Sequence, residues 1–86
     1  MIPLVRQVVD AVAGAEGVDH VEITLRDGPP RAELDVAFGE PSPLPRFPGP
    51  AFERFAYPAP DGVSLFADVD DESGRVLAVL VRRDAP

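Results

Sequence analysis

The sequence contains no cysteine, no lysine, no asparagine and no tryptophan among its 86 residues. The lack of cysteine excludes disulfides, thiolate zinc sites, iron–sulfur ligation and cysteine nucleophiles. The lack of lysine excludes a Schiff-base enzyme and a phosphate-binding loop of the Walker type. Every basic residue is therefore an arginine, and His20 is the only side chain whose ordinary pKa lies near neutrality.

The side chains that could act in catalysis are also few. The candidates for a nucleophile are Thr24, Ser42, Tyr57, Ser64 and Ser73. No second histidine and no glycine-rich phosphate loop accompany them, so no catalytic triad or phosphoryl-transfer site can be assembled from the pattern. The composition predicts a protein that is not an enzyme and that holds no cofactor.

The charge is strongly unbalanced, with 15 acidic against 8 basic side chains and a net charge of -7. The arginines are scattered, whereas binding to a phosphate backbone needs clustered cations. No apolar run approaches the roughly 18 residues that cross a bilayer. We therefore expect a cytoplasmic protein of one domain (1–86) that binds neither nucleic acid nor a membrane.

Apolar spacing predicts the regular elements. Residues 3–15 have aliphatic side chains at helical spacing and predict one amphipathic helix. Beyond Val18 the apolar period becomes two, which predicts strands at about 20–26 and 32–38, joined as a hairpin through Asp27-Gly28-Pro29-Pro30.

A second hairpin is predicted from strands at about 63–70 and 75–82, with Gly74 in the turn. Pairing Asp70 with Arg75 would place Val69 opposite Val76 and Phe66 opposite Val79. The last strand is apolar on both faces, which is typical of a central strand.

Between the hairpins, residues 40–60 hold seven of the eleven prolines and four of the six aromatic side chains. This proline-rich crossover cannot form a central strand or a long helix, and residues 51–56 are predicted as one helical turn. The predicted fold is α+β: one N-terminal helix on a four-stranded, mainly antiparallel sheet whose two hairpins are joined by the crossover.

The predicted sheet leaves apolar side chains that need a cover. The crossover aromatics could fold over them, a second copy of the chain could pair there as a homodimer, or a different protein could bind. The hypothesis favoured by this pattern is a non-catalytic protein-interaction module acting by self-association or by docking on a partner. Its candidate interaction surface comprises Phe47, Phe52, Phe55, Tyr57, Phe66, Leu77, Val79 and Val81.

Two groups of polar residues support an alternative, a small ligand- or metal-binding protein, possibly enzymatic. One group is the acidic face around His20, Glu22 and Asp35, where a general base or a divalent ion could sit. The other is the hairpin tip at Asp68, Asp70 and Glu72, which have the alternate spacing of a calcium loop but lack its glycine and its final glutamate. The acidic face could also imitate the phosphates of a nucleic acid and occupy a basic protein.

Overall fold

The computed structural model describes residues 1–14 and 17–84. Its elements in chain order are α1 (Ile2–Gly14), β1 (His20–Thr24), α2 (Arg31–Phe38), β2 (Ser42–Pro43), β3 (Phe52–Tyr57), β4 (Val63–Asp70) and β5 (Val76–Arg83). The five strands form one sheet in the order β1-β5-β4-β3-β2, and every neighbouring pair is antiparallel. The predicted α+β class, with an N-terminal helix on an antiparallel sheet, is confirmed. The sheet has five strands, however, and not the predicted four.

Helix α1 follows the predicted amphipathic pattern. Val5, Val9 and Val12 are buried on its inner side and belong to the main hydrophobic core. Pro3 lies in the first turn, where backbone N–H groups have no acceptor within the helix, so its lack of an N–H costs no hydrogen bond. The apolar stripe therefore fixes which side of α1 rests on the sheet.

Residues 31–38 form helix α2, so the predicted strand at 32–38 is wrong. Ala, Glu and Leu favour a helix intrinsically, and Glu33 lies in the first turn, where the helix dipole favours an anion. Pro30, whose backbone is extended, marks the start of the helix. Arg31 and Asp35, one turn apart, form an ion pair at 3.3 Å. Gly39, with φ of +107°, ends the helix in a conformation that other residues rarely adopt.

Because α2 is a helix, the first predicted hairpin does not exist. Strand β1 pairs instead with β5, in a register that places Val21 opposite Val81 and Ile23 opposite Val79. Residues 25–30 connect β1 to α2 and pass close to β5, where the Leu25 N–H donates to the Leu77 carbonyl at 2.8 Å. The strand that is apolar on both faces, β5, is thus central as predicted, but its second neighbour is β1.

The crossover supplies strands to the sheet and not a layer over it. Residues 52–57 form β3 and pair with β4, so the predicted helical turn at 51–56 is wrong. As a strand, this segment buries Phe55 and Tyr57 together on one face, whereas a helical turn would separate them. The two residues of β2 include Pro43, which is tolerated because β2 is an edge strand.

The hairpin of β4 and β5 has the predicted turn but not the predicted register. Gly74 has a φ of +71°, and Val69 pairs with Val76 as expected. A β-bulge then leaves Leu77 without a partner on β4, because Asp68 pairs with Ala78. Beyond the bulge Phe66 therefore lies opposite Leu80, and the predicted pairing of Phe66 with Val79 is wrong.

The core lies between the helices and one face of the sheet. Its buried apolar side chains come from both helices and from β3, β4 and β5: Val5, Val9, Val12, Leu34, Phe55, Tyr57, Val63, Leu65, Ala67, Val69, Val76, Val79 and Val81. Both helices contribute to this one cluster, so the opposite face of the sheet is left without a helix among the described residues.

Candidate functional site

The face of the sheet opposite the helices, called here the open face, is the most distinctive surface of the molecule. Alternation along the strands and the pairing registers place every second residue on it. These residues include His20, Glu22 and Thr24 of β1, Ala78, Leu80 and Arg82 of β5, Ser64, Phe66, Asp68 and Asp70 of β4, and Phe52, Arg54 and Ala56 of β3.

The centre of the open face is apolar. Phe66 and Leu80 are direct cross-strand neighbours, and Ala56 lies opposite Phe66 on its other side. All three are partly exposed. The guanidinium carbon of Arg82 lies 5.5 Å from the centroid of the Phe66 ring, within the range of a cation–π contact. An aromatic side chain beside an arginine is a combination enriched where proteins bind one another.

One ion pair adjoins this centre. Arg54 donates to both carboxylate oxygens of Asp68, at 2.7 and 3.1 Å, across neighbouring strands. Asp68 is only 6% exposed, so the pair neutralises a carboxylate that would otherwise be buried with its charge unpaired. The hydrogen bond from Arg54 to Asp68 raises the pKa of Arg54. Two of the charged side chains on the open face therefore form a matched pair.

A cleft of about 320 Å³ opens at one corner of the open face, where the crossover meets β3. It is lined by Leu44, Pro45, Arg46, Phe47, Pro50, Phe52 and Arg54. Arg46 donates to both carboxylate oxygens of Asp71, at 3.0 and 2.6 Å, which ties the crossover to the β4–β5 turn. Phe47 is 79% exposed beside this cleft. The cleft thus extends the apolar surface past the edge of the sheet.

The structure divides the predicted interaction surface between two sides of the sheet. Phe55, Tyr57, Val79 and Val81 are buried in the core, so they do not form a free surface. Val79 and Val81 are buried because the bulge at Leu77 moves them onto the helix-covered face. The same bulge moves Leu80 onto the open face. Phe47, Phe52, Phe66 and Leu77 are exposed or partly exposed.

Five members of the open face belong to no site predicted from the sequence: Arg54, Ala56, Ala78, Leu80 and Arg82. Arg54 and Ala56 were missed because β3 was not recognised as a strand. The apolar residues on both sides of β5 did indicate a second apolar face. A strand without the bulge would place Val79 and Val81 on that face, whereas the bulge places Leu80 there.

The residues of the alternative metal or ligand site do not come together. His20 and Glu22 lie on the open face of β1, whereas Asp35 lies on α2 and accepts a hydrogen bond from Tyr57 on the covered face. At the hairpin tip, the Ser73 backbone and hydroxyl both donate to Asp70, which lowers the pKa of Asp70. No group of three potential metal ligands is found in the part of the chain that the structure describes.

The hydrogen bond between Tyr57 and Asp35 joins α2 to β3. The Tyr57 hydroxyl donates to the Asp35 carboxylate at 2.6 Å, and the Phe38 ring packs edge-on at 6.5 Å between centroids. Burial, and secondarily the hydrogen bond to Asp35, raise the pKa of Tyr57 well above its ordinary value of 10.0. The chain has one tyrosine, no cysteine and no lysine, so no other side chain has an ordinary pKa near 10.

This arrangement predicts how stability depends on pH. A pKa that is higher in the folded than in the unfolded chain stabilises the fold fully below about pH 10 and progressively less above it. We expect the free energy of unfolding to fall by up to about 1.4 kcal/mol per pH unit above pH 10. Urea unfolding at a series of pH values measures this slope, and Tyr57→Phe should abolish it. Tyrosinate absorbance appearing near pH 10 while the circular dichroism stays native would contradict the prediction.

Within the described residues no helix is both long and apolar enough to span a membrane. Comparison with known proteins found no matching family model, no matching curated protein and no matching solved structure. The geometry of the open face and its cleft is therefore the basis on which a function can be proposed.

Proposed function

We propose that this protein is a non-catalytic protein-interaction module that docks, on a partner protein or on a second copy, through the open face and the adjoining cleft. The observation that carries the proposal is the apolar centre of the open face, formed by Phe66 and Leu80 and left without a covering helix. Removing such apolar side chains from water by docking on a partner is favourable in free energy.

The surroundings of the apolar centre support the same proposal. Arg54 and Arg46 are each held by two hydrogen bonds from their planar guanidinium groups to a carboxylate. The desolvation cost of bringing such a guanidinium group against a partner is reduced, because its charge is already matched by a carboxylate. The surface is thus an apolar, partly aromatic centre beside two arginines that are paired with carboxylates, which resembles the composition of protein interfaces.

Three of the five candidate nucleophiles donate their hydroxyl groups to carboxylates, which supports a role without catalysis. The Ser64 hydroxyl donates to Asp84, and the Ser73 hydroxyl donates to Asp70. The Tyr57 hydroxyl donates to Asp35 within a half-buried contact. His20 is exposed on β1 in the same cross-strand row as Ser64, but it is two strands away, and the cation Arg82 of β5 lies between them. None of these pairs joins a nucleophile to a histidine base.

Substitution of Phe66 tests the proposal. We expect Phe66→Ser to weaken binding at the open face about fivefold or more, since central aromatic residues at interfaces contribute more than about 1 kcal/mol. Immobilised wild-type protein and the variant are compared for the proteins they retain from cell extract, and the dissociation constant is then measured with the purified partner. Sedimentation of the wild type and of Phe66→Ser at increasing concentration identifies a second copy as the partner of the open face if the wild type associates and the variant does not.

Val36→Ser is the matched control. Val36 is 89% exposed on α2, which packs on the covered face, so this change also replaces an apolar side chain at the surface by serine. A partner retained by the wild type and by Val36→Ser, but lost with Phe66→Ser, supports the proposal. Equal retention by all three proteins would show that binding does not use the open face.

A further inference from the structure

The two edges of the sheet differ in how they are protected. The β2 edge is two residues long, contains Pro43, and is flanked by Pro41 and Pro45. Proline lacks the N–H that strand pairing needs, so this edge cannot accept another strand. The β1 edge is five residues long and contains neither a proline nor a bulge. Only the β1 edge is therefore suited to pairing.

Hydrogen bonds to β5 show which backbone groups of β1 remain available. The Asp19 carbonyl accepts from the Arg83 N–H, and the Leu25 N–H donates to the Leu77 carbonyl, both at 2.8 Å. Since inward and outward groups alternate along an antiparallel strand, Val21 and Ile23 also point toward β5. The backbone N–H and C=O groups of the alternate residues, His20, Glu22 and Thr24, therefore point away from β5 and are available to pair with another strand.

Helix α1 presents an apolar surface on the side of the molecule where the β1 edge lies. Arg6 donates to the Ala37 carbonyl at 2.8 Å and stacks on Phe38, so the Arg6 flank of α1 faces α2. Helical geometry places Leu4, Val8 and Ala11 on the opposite flank, toward the β5 and β1 side of the sheet. Leu4 is 48% exposed there. No charged side chain of α1 lies on this flank to repel an approaching strand.

We infer that the β1 edge binds the β1 edge of a second copy of this chain, antiparallel and about a two-fold axis. The two five-stranded sheets then form one continuous sheet of ten strands. Such a dimer keeps both open faces uncovered and on the same side. It is independent of the proposed function, and it would make an open-face binding module bivalent.

Side-chain pairing across the axis selects one register. With Ile23 on the axis, Val21 lies opposite Leu25 of the second copy and Glu22 lies opposite its Thr24. Moving the register by two residues in one direction puts Glu22 on the axis, where two carboxylates face each other directly. Moving it in the other direction puts Thr24 on the axis and replaces the pairing of Val21 with Leu25 by a pairing of Val21 with Asp27, which lies outside β1. Val21, Ile23 and Leu25 are all only partly buried in one copy, so the first register pairs apolar side chains that the isolated chain leaves incompletely covered.

Opposite charges at residue 24 test this register. Thr24 is exposed and lies opposite Ala78 within its own sheet, so both Thr24→Glu and Thr24→Lys should leave the single copy folded. In the dimer, Thr24→Glu places like charges opposite each other twice, and we expect it to raise the dimer dissociation constant about two- to thirty-fold. Thr24→Lys places opposite charges there twice and should lower the constant by a similar factor. Analytical ultracentrifugation measures all three proteins.

Backbone hydrogen exchange provides a second readout that substitutions do not disturb. In the dimer, the outward amides of Glu22 and Thr24 should exchange more slowly as the protein concentration rises, while those of Val21 and Ile23 stay protected throughout. A strict monomer up to millimolar concentration would overturn the inference. So would a dimer whose Glu22 and Thr24 amides exchange as fast as in the monomer, or one that Phe66→Ser abolishes and Thr24→Glu leaves unchanged.

Discussion

Replacing Gly28 with alanine is expected to lower the free energy of unfolding by about 3 kcal/mol or more, the upper end of the cost of forcing extra atoms into a packed site. A Cβ atom at this position would lie 1.8 Å from the Val76 carbonyl oxygen and 3.3 Å from a methyl group of Leu25. The first atom belongs to the backbone, so it cannot turn aside as a flexible side chain would. The segment is also tied to β5, because the Val76 N–H donates to the Pro29 carbonyl and Arg75 donates to the Gly28 carbonyl, both at 2.9 Å.

That loss is large for a chain of 86 residues, whose total stability should lie between about 4 and 13 kcal/mol. Thermal unfolding should shift down by at least about 12 °C. Gly14→Ala is the matched control, since nothing lies within 4 Å of a Cβ at that helical position. It should leave stability unchanged or raise it by up to about 1 kcal/mol. Equal melting temperatures for the two variants would show that residues 28 and 76 are farther apart than described.

Leu34→Ala should destabilise the protein by about 2 to 5 kcal/mol. Leu34 is fully buried and is the main contact of α2 with the core, so the substitution removes three carbon atoms and leaves a cavity. Chemical denaturation followed by circular dichroism measures the change.

The companion substitution Val36→Ala makes this experiment a test of secondary structure. In a strand, residues 34 and 36 share a face and both substitutions would be costly. In helix α2 they lie on different sides, and Val36 is 89% exposed, so Val36→Ala should change stability by no more than about 0.5 kcal/mol. A comparable loss in both variants would contradict the helix.

The segment 31–38 explains why part of the fold could not be predicted. Its apolar residues fit a period of two, but Leu34 and Phe38 also fit the spacing of one helical turn. Periodicity could not decide between these readings over eight residues. The helix signals, namely prolines before the segment, a glutamate in its first turn and a glycine after it, were the more informative ones.

Longer or more specific patterns were predicted correctly. Five aliphatic residues at helical spacing identified α1, and the bounds predicted for the strand at 63–70 agree with β4. The turn before Gly74 was also correct, because only one residue type readily takes its positive φ. In β3, by contrast, the surrounding prolines concealed a strand whose partner, β4, comes only later in the chain.

The existence of a second apolar face could be predicted from the sequence, but the residues that form it could not. A two-sided apolar strand near the end of the sequence does imply a second apolar face. Which residues occupy it depends on the bulge at Leu77, and a single unpaired residue reverses the faces of everything beyond it. No local signal in Val76-Leu77-Ala78 marks that position, since all three residues are apolar.

The strand order also determines when this chain can fold. Strand β5 lies between β1 and β4 in the sheet but follows both of them along the chain. During synthesis, β1 therefore has no strand to pair with, and the apolar side of α1 lacks β5, with which it makes its most extensive contact. Contacts between such distant segments close slowly, and exposed apolar surface favours aggregation in the interval. Completion of the native sheet must wait for the last strand to leave the ribosome.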